Sequence, residues 1–310
     1  MRSILLRIML ALLLLGGGAV YWLFYDNRPP SEGSFPLDIA ALRKEAATIP
    51  GTMPLAIEVE TTSHTLQPKI ALAADTSWAK IDMVRNSYRV IFSDRTIIID
   101  TGDEESAARK YGAYAYDRAA WKRAQRGLKT ASAIVVTHEH DDHIGGLLLS
   151  PDMATILSKA LITPEQISSK ANRIWPKTVP AGFKPFAYQG IKAIAPGVVL
   201  IRAPGHTPGS QMVYVQRADG REYIFMGDVA SLIDNVRLLR IRPRLVTDFM
   251  THDDRTAVFL QSQALNRLSK SVPGLVLVPG HDGPALAMIV KAGLLRRQFS
   301  VKNQIGPAPI

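Results

Sequence analysis

Residues 133–147 read AIVVTHEHDDHIGGL, and positions 138–143 alone hold three of the chain's seven histidines with two aspartates and a glutamate. The residues just ahead, Ala133, Ile134, Val135 and Val136, are small or β-branched, as in a buried strand. Gly145 and Gly146 follow and suit a close backbone approach. The pattern predicts a strand that delivers a polar cluster to the loop at its carboxyl end. Imidazole nitrogens and carboxylate oxygens are good ligands for zinc and similar divalent ions, and a strand end holds them nearly rigid. His138 and His140, two apart, can project to one side of a turning backbone and chelate one ion. Asp142 and His143 are adjacent, so they diverge from that pair and can serve a second. A polar loop of solvated histidines is the competing reading, and the density of ligand types argues against it.

Further ligand-type residues fall behind other strand-like runs. Residues 83–102 predict a hairpin turning at Ser93, Asp94 and Arg95 and ending at Asp100-Thr101-Gly102. An amphipathic helix over 117–128 leads into the cluster strand. Apolar helical cover over 144–161 breaks near Ser150 and Pro151, and 166–190 is loop-like. Strands at 198–202, 212–215, 222–226 and 272–278 follow, the first leading to His206, the third to Asp228 and the last to His281. Helices are expected over 253–269, capped by Thr251 or Asp253, and over 284–299. Ahead of the hairpin, 42–48 reads as a short helix and 56–60 and 70–74 as strands. Two batches of strands, each followed by helical cover, predict two sheets packed face to face with helices outside.

The amino-terminal stretch has a different character. Residues 4–25 carry a single charge, Arg7, and 22 residues of helix span about 33 Å, one membrane crossing. Tyr21, Trp22 and Tyr25 form an aromatic belt at its far end, and no small-residue cleavage pattern follows. The expected organisation is a transmembrane anchor at 1–26, a proline-rich linker at 27–37 and a catalytic domain at 38–310. Arg2, Arg7 and the amino terminus outweigh the flank at 26–28, so the catalytic domain is expected on the extracytoplasmic, periplasmic side. The chain contains no cysteine, which removes thiolate from the metal ligands and excludes a lipoprotein anchor. Its net charge of +10 lacks aromatic interleaving or a nucleic-acid motif, so no nucleic-acid partner is expected.

HEHDDH at 138–143 resembles the HxHxDH signature of the metallo-β-lactamase superfamily, and GHTPGS at 205–210, GD at 227–228 and GHD at 280–282 resemble its later ligand motifs in the same order. The resemblance covers most of residues 54–285. It implies an α/β (α+β) fold, a four-layer αββα sandwich preceded here by one transmembrane helix. It also implies two divalent ions, Zn2+ first and Mn2+ or Fe as alternatives. His138, His140 and His206 would hold one ion, Asp142, His143 and His281 the other, and Asp228 would bridge them. Asp100 matches the family's buried strand-end aspartate, which orients ligand imidazoles; a turn-capping role is the alternative.

Such a pair of ions lowers the pKa of a shared water, so the expected reaction is attack by a bridging hydroxide on an ester-like bond of a small molecule, with Asp142 as the catalytic proton carrier. A lactone or carboxylic ester leads. A phosphodiester, or a non-catalytic membrane-anchored binding protein, is the alternative. A bridging aspartate departs from the family's β-lactamases, and Ser231 stands where its quorum-signal lactonases place a tyrosine. The segment 229–250 follows Asp228, where this fold usually shapes its substrate pocket. Arg237, Arg240, Arg242 and Arg244 are candidates there for an anionic substrate or lipid headgroups, with Leu238, Leu239 and Ile241 entering the apolar boundary. His64 and His252 read as structural or capping residues, and Trp78, Trp121 and Trp175 as packing residues.

Overall fold

The strand over Val198–Arg202 is buried on both faces: Val198 and Leu200 join one apolar cluster, Val199 and Ile201 another. A strand with two buried faces must lie between layers. The computed structural model describes residues 2–30, 32–172, 175, 179 and 182–300. Its first half comprises α1 (Arg2–Phe24), α2 (Ile39–Ala46), β1 (Ala56–Pro68), β2 (Lys80–Ile91), β3 (Thr96–Ile99), α3 (Glu105–Lys110), β4 (Ala115–Tyr116), α4 (Arg118–Thr130) and β5 (Ala133–Val135). Then come α5 (Asp141–Leu148), α6 (Met153–Leu157), α7 (Pro164–Ser168), β6 (Ile191–Ala195), β7 (Val198–Arg202), β8 (Gln211–Gln216) and β9 (Glu222–Phe225). The last elements are α8 (Ile233–Arg237), α9 (Arg244–Val246), α10 (Arg255–Ser271), β10 (Val276–Val278), α11 (Gly283–Lys291) and β11 (Arg296–Arg297).

One sheet has the order β11-β1-β2-β3-β5, with β4 paired to β1, and the other the order β10-β9-β8-β7-β6. Between them Val59, Tyr88, Val90 and Ile99 meet Leu200, Val213, Val215 and Phe225. Ile98, Ile134 and Val136 cover the outer face of the first sheet and pack under Leu128 of α4, Ile144 and Leu147 of α5 and Ile156 of α6. Outside the second sheet, Ile201, Met212 and Ile224 pack against Leu42 of α2 and Leu265 and Leu268 of α10. The expected four αββα layers result, and α1 precedes them. Burying whole apolar side chains at about 1.5–3 kcal/mol each supplies the main stabilisation.

Four expectations need correction. Residues 70–74 do not form a strand: Lys69–Ala71 is a 3-10 turn in which Ile70 is fully buried and its N–H bonds the Ser77 carbonyl. The strand expected over 272–278 shrinks to β10, because Val272 caps α10 and Gly274 turns the chain at φ +80°. The cap of α10 is Asp254, whose side chain accepts from the Ala257 N–H, whereas Asp253 turns inward. Helix α11 stops at Lys291 ahead of Gly293 (φ +69°), and the chain then pairs as β11 in parallel with β1. Residues 173–174, 176–178 and 180–181 of the loop expected at 166–190, and residues 301–310, lie outside the described residues.

Helix α1 is long and apolar enough to cross a membrane by length and composition, and residues 3–22 are exposed along its whole run. Among the described residues, its ring contacts to the rest of the chain fall in its last turn. Trp22 packs edge-on against Phe249 at 6.3 Å between centroids, Arg244 lies over the Trp22 ring and Phe24 meets Trp78. The next residues are fastened too: Asp26 pairs with Arg28 and Arg244, and Asn27 bonds the Leu239 carbonyl and the Ile241 N–H.

Glycine is required where α5 meets the loop after β3. The Gly146 N–H donates to the Gly102 carbonyl, and a Cβ on Gly146 would fall 1.9 Å from the Thr101 carbonyl oxygen. A backbone atom cannot swing aside as a side chain would. Gly146→Ala is therefore expected to destabilise the chain by about 3 kcal/mol, read as a lower urea midpoint at unchanged slope. An unshifted midpoint would show that α5 is free to move off the loop.

Candidate metal centre

Strands β3 and β5 are parallel neighbours, so the residues that leave them emerge side by side. Asp100, just past β3, adopts a left-handed backbone (φ +57°), uncommon for a residue with a side chain. The strain is held by its carboxylate, which accepts from the Thr137 N–H (2.6 Å) and the Thr137 hydroxyl (2.9 Å) and lies 2.9 Å from His143 Nδ1. His140 then caps α5, with Asp141 and Asp142 in its first turn, where the helix dipole favours negative charge. On the second sheet, β9 and β10 are likewise parallel and release Asp228 and His281 next to each other. His206 arrives on the loop between β7 and β8.

All seven ligand-type residues meet. His138, His140 and His206 form one group, and Asp142, His143 and His281 another; Asp228 groups with His138 and His143 and reaches both sides. His140 Nδ1 lies 3.0 Å from both His138 Nε2 and His206 Nε2, and His143 Nε2 lies 3.2 Å from His281 Nε2. Asp228 Oδ1 is 2.9 Å from His281 Nε2, and its Oδ2 is 3.6 Å from His206 Nε2. Although so near, Asp228 Oδ1 makes no hydrogen bond and is buried. The geometry is that of atoms converging on a common point rather than bonding one another.

The outer nitrogens carry the orientation. His281 Nδ1 faces the Val84 carbonyl at 2.9 Å, and since a carbonyl only accepts, Nδ1 holds the proton and Nε2 offers its lone pair inward. His143 and His206 present Nδ1 to the carboxylates of Asp100 and Asp253, at 2.9 and 3.1 Å. Lone pairs aimed at a common point repel unless a cation lies among them, and the two carboxylates of Asp142 and Asp228 share the same space. The residues present therefore fit divalent metal ions.

Charge distribution agrees at His138, His140 and the two carboxylates, whereas at His143 burial is outweighed by Asp100 and Asp142, which push the imidazole up to about 9. Burial, then the neighbouring imidazoles, keeps His138 well below its ordinary pKa, and burial followed by His206 pushes His140 down to about 3. Both stay neutral, the form that binds metal. Burial opposes ionisation of Asp228, but His281 and Arg242 outweigh it and hold that carboxyl well below the usual range. Asp142 is held low in the same way, by His143, His281 and Arg85 against burial. Arg85 Nε donates to Asp142 Oδ2 at 3.1 Å.

Two residues at the site were not singled out for it by the sequence. Asp253 orients His206, and Arg242, wholly buried, donates to Asp228 Oδ2 (2.6 Å), the Asp228 carbonyl, Asp253 Oδ2 and the Ser231 hydroxyl. The reading of 229–250 as a substrate- or headgroup-binding basic stretch is corrected accordingly for Arg240, Arg242 and Arg244, whereas Arg237 is exposed. Arg242 faces inward, Arg244 pairs with Asp26 and Asp248, Arg240 with Asp75, and Ile241 packs on Val258 and Phe259. Ser231 is buried and engaged by Arg242. His64 pairs with Asp82, and Trp175 is buried in the core under α5 and α6. Next to the cluster opens a cavity of about 770 Å³ whose wall includes His140, His206, Lys170, Met250 and His252. His252 thus lines the mouth, on a left-handed residue (φ +58°) that ends a π-turn at Thr247–Thr251, a feature no sequence period announces.

Comparison with known proteins agrees with this architecture. Solved structures share the fold at low identity. A quorum-quenching N-acyl homoserine lactone lactonase matches at 17% identity and a TM-score of 0.59, over 75% of this chain and 94% of its own. An N-acyl homoserine lactone hydrolase, solved with N-hexanoyl-L-homoserine at its catalytic metal centre, gives 16% and 0.58 over 76% and 97%. A probable metal-dependent hydrolase from Staphylococcus aureus gives 15% and 0.57 over 75% and 91%. No curated protein matches. The family model for the metallo-beta-lactamase superfamily matches residues 82–281, the span from β2 through His281 that contains every residue of the cluster, and the chain is therefore a hydrolase of the metallo-beta-lactamase superfamily.

Proposed function

We propose that this hydrolase is dinuclear and cleaves an ester-like bond, a lactone or carboxylic ester, with its domain held on the extracytoplasmic face of a membrane by α1. The observation that carries the reading is the pair of ligand groups joined through Asp228, whose Oδ1 is buried and without a hydrogen bond. His138, His140 and His206 would hold one divalent ion, Asp142, His143 and His281 the second, and Asp228 both, with zinc the best match to a set of imidazoles and carboxylates. Bound ions would supply water acidified to near neutrality and would polarise the carbonyl under attack.

The chain's own residues account for the rest. Asp142, ionised and with its side chain 21% exposed, is placed to take the proton of the attacking water. As the carbonyl carbon gains the water oxygen and the C–O bond breaks, Asp142 returns that proton to the leaving oxygen. Arg85 keeps its carboxylate aimed. Arg242 neutralises Asp228 and Asp253 together, which leaves one carboxylate oxygen of Asp228 for the ions. Ser231 is occupied by Arg242, so contact with the substrate carbonyl from the protein falls to the cavity wall, where His252 and Lys170 offer donors. The lactone and ester reading is supported by the likeness in fold to lactone hydrolases and by a cavity with an apolar wall at Met250, Pro204 and Pro208. A phosphodiester is the second reading, favoured by Lys170 at the same wall.

Two measurements test this. The purified full chain is expected to carry two zinc-class ions, to hydrolyse lactones and aryl esters faster than bis-aryl phosphodiesters, and to lose kcat about 10³-fold in Asp142→Asn with metal content retained. Phosphodiesters hydrolysed faster than every ester tested would reverse the substrate order. Asp253→Ala is expected to weaken metal retention about 10–100-fold in a chelator competition, because His206 loses its orienting carboxylate; unchanged retention would remove Asp253 from the site.

A further inference from the structure

The cavity beside the metal-binding cluster shares a wall with the attachment of α1. Met250 lines that cavity, and its chain neighbour Phe249 packs against Trp22 in the last turns of α1. Both lie on the π-turn, and both point away from the core, Phe249 59% and Met250 64% exposed. Around them the surface is apolar and aromatic: Trp22, Tyr21, Trp78 and Leu238 are all exposed. Side chains of this kind gathered in one place are costly in water and mark a contact surface.

The occupant is identified by continuity with α1. Residues 3–20 of that helix are exposed, unburied by any other described residue, and the length and hydropathy of the span match a bilayer. Trp22 and Tyr21 sit at its end, the depth at which aromatic belts lie in the interface between hydrocarbon and water. Phe249, in contact with Trp22, must share that depth. The domain cannot lift away freely, because Asp26 and Asn27, immediately after the helix, are tied to Arg244, Leu239 and Ile241. Arg28 and Arg237 are exposed close by and suit anionic headgroups.

We propose that the mouth of the metal-site cavity rests on the lipid surface, and that the substrate is an acyl-chain-bearing amphiphile drawn from the leaflet. Its ester reaches the cluster past His252, while its chain lies along Met250 and Phe249 and remains continuous with the membrane. A soluble substrate would gain nothing from so close a fastening of mouth to anchor. The choice of substrate rests on the hydrolase reading above; the placement of the mouth does not.

The chain has no cysteine, so Met250→Cys gives one labelling site. With an environment-sensitive fluorophore there, the full chain is reconstituted in phosphatidylcholine–phosphatidylglycerol vesicles whose acyl chains are brominated. Quenching by the bromines is expected at position 250 and not at Asp219→Cys, which lies in the β8–β9 turn at the other end of its sheet. Equal or absent quenching overturns the placement. In parallel, Phe249→Asp is expected to lower the ratio of the rate on vesicle-borne 4-nitrophenyl decanoate to that on 4-nitrophenyl acetate in water about tenfold. Equal losses on both esters, or no loss on either, overturn the route from the leaflet. A quenched label with neither ester hydrolysed by the parent chain would sink the hydrolase substrate reading while supporting the lipid-facing mouth.

Discussion

Seven ligand-type side chains meet in one dry space, and the repulsion among their inward lone pairs and carboxylates is the constraint the rest of the structure answers. Left alone, such a group would open or fill with water, since burying unpaired charge costs several kcal/mol. Here each risk is met from outside the cluster. Asp100 grips His143, Asp253 grips His206, the Val84 carbonyl grips His281, and Arg242 neutralises the side of Asp228 that faces away from His281. The sheets supply the fixed points, because ligands leave neighbouring parallel strands in pairs, β3 with β5 and β9 with β10. Two sheets packed face to face thus bring their strand ends to one edge, and the residues that could hold metal are drawn from both.

Much of this was legible from the residues. The run from Ala133 to Val136 is apolar on successive positions because both faces are covered, so a strand buried in a sandwich could be read directly. That the ligand-type residues would meet was legible because their spacing follows strand ends. What could not be read has a physical reason in each case. The polar alternation in β1 disguised a thirteen-residue strand, since Glu58 and Glu60 are buried and paired with Arg89 and Arg123, and an isolated sequence does not reveal such partners. Residues 284–299 kept an apolar helical pattern past Lys291, yet Gly293 ends the helix and β11 finds an edge of β1 to pair with. Tertiary hydrogen bonding decided the outcome there, not local propensity.

Arg242 marks the deepest limit. Four arginines within eight positions look like a solvated or ligand-facing basic loop, because sequence carries no sign of which way each one turns. In the folded chain Arg242 is as much part of the site as the ligands: its fork spans Asp228 and Asp253 and fills its donors on Ser231 and the Asp228 carbonyl. A planar guanidinium can satisfy several acceptors at once in a way an ammonium cannot. The same contact keeps the Ser231 hydroxyl buried beneath the guanidinium.

The segment after Asp228 therefore does two jobs with one stretch of backbone. Ser231 and Arg242 look inward and bear on the charge balance of the cluster; the stretch from Arg244 to His252 joins the end of α1 to the cavity wall. Thr247 stands between them, its hydroxyl accepting from Arg255, whose guanidinium also reaches the Arg242 and Asp26 carbonyls. A displacement of α1 would strain Asp26 and Arg255 before it reached Arg242, and Arg242 touches Asp228 directly. Helix α1 and the cluster are thus three contacts apart, through Asp26, Arg255 and Arg242 to Asp228.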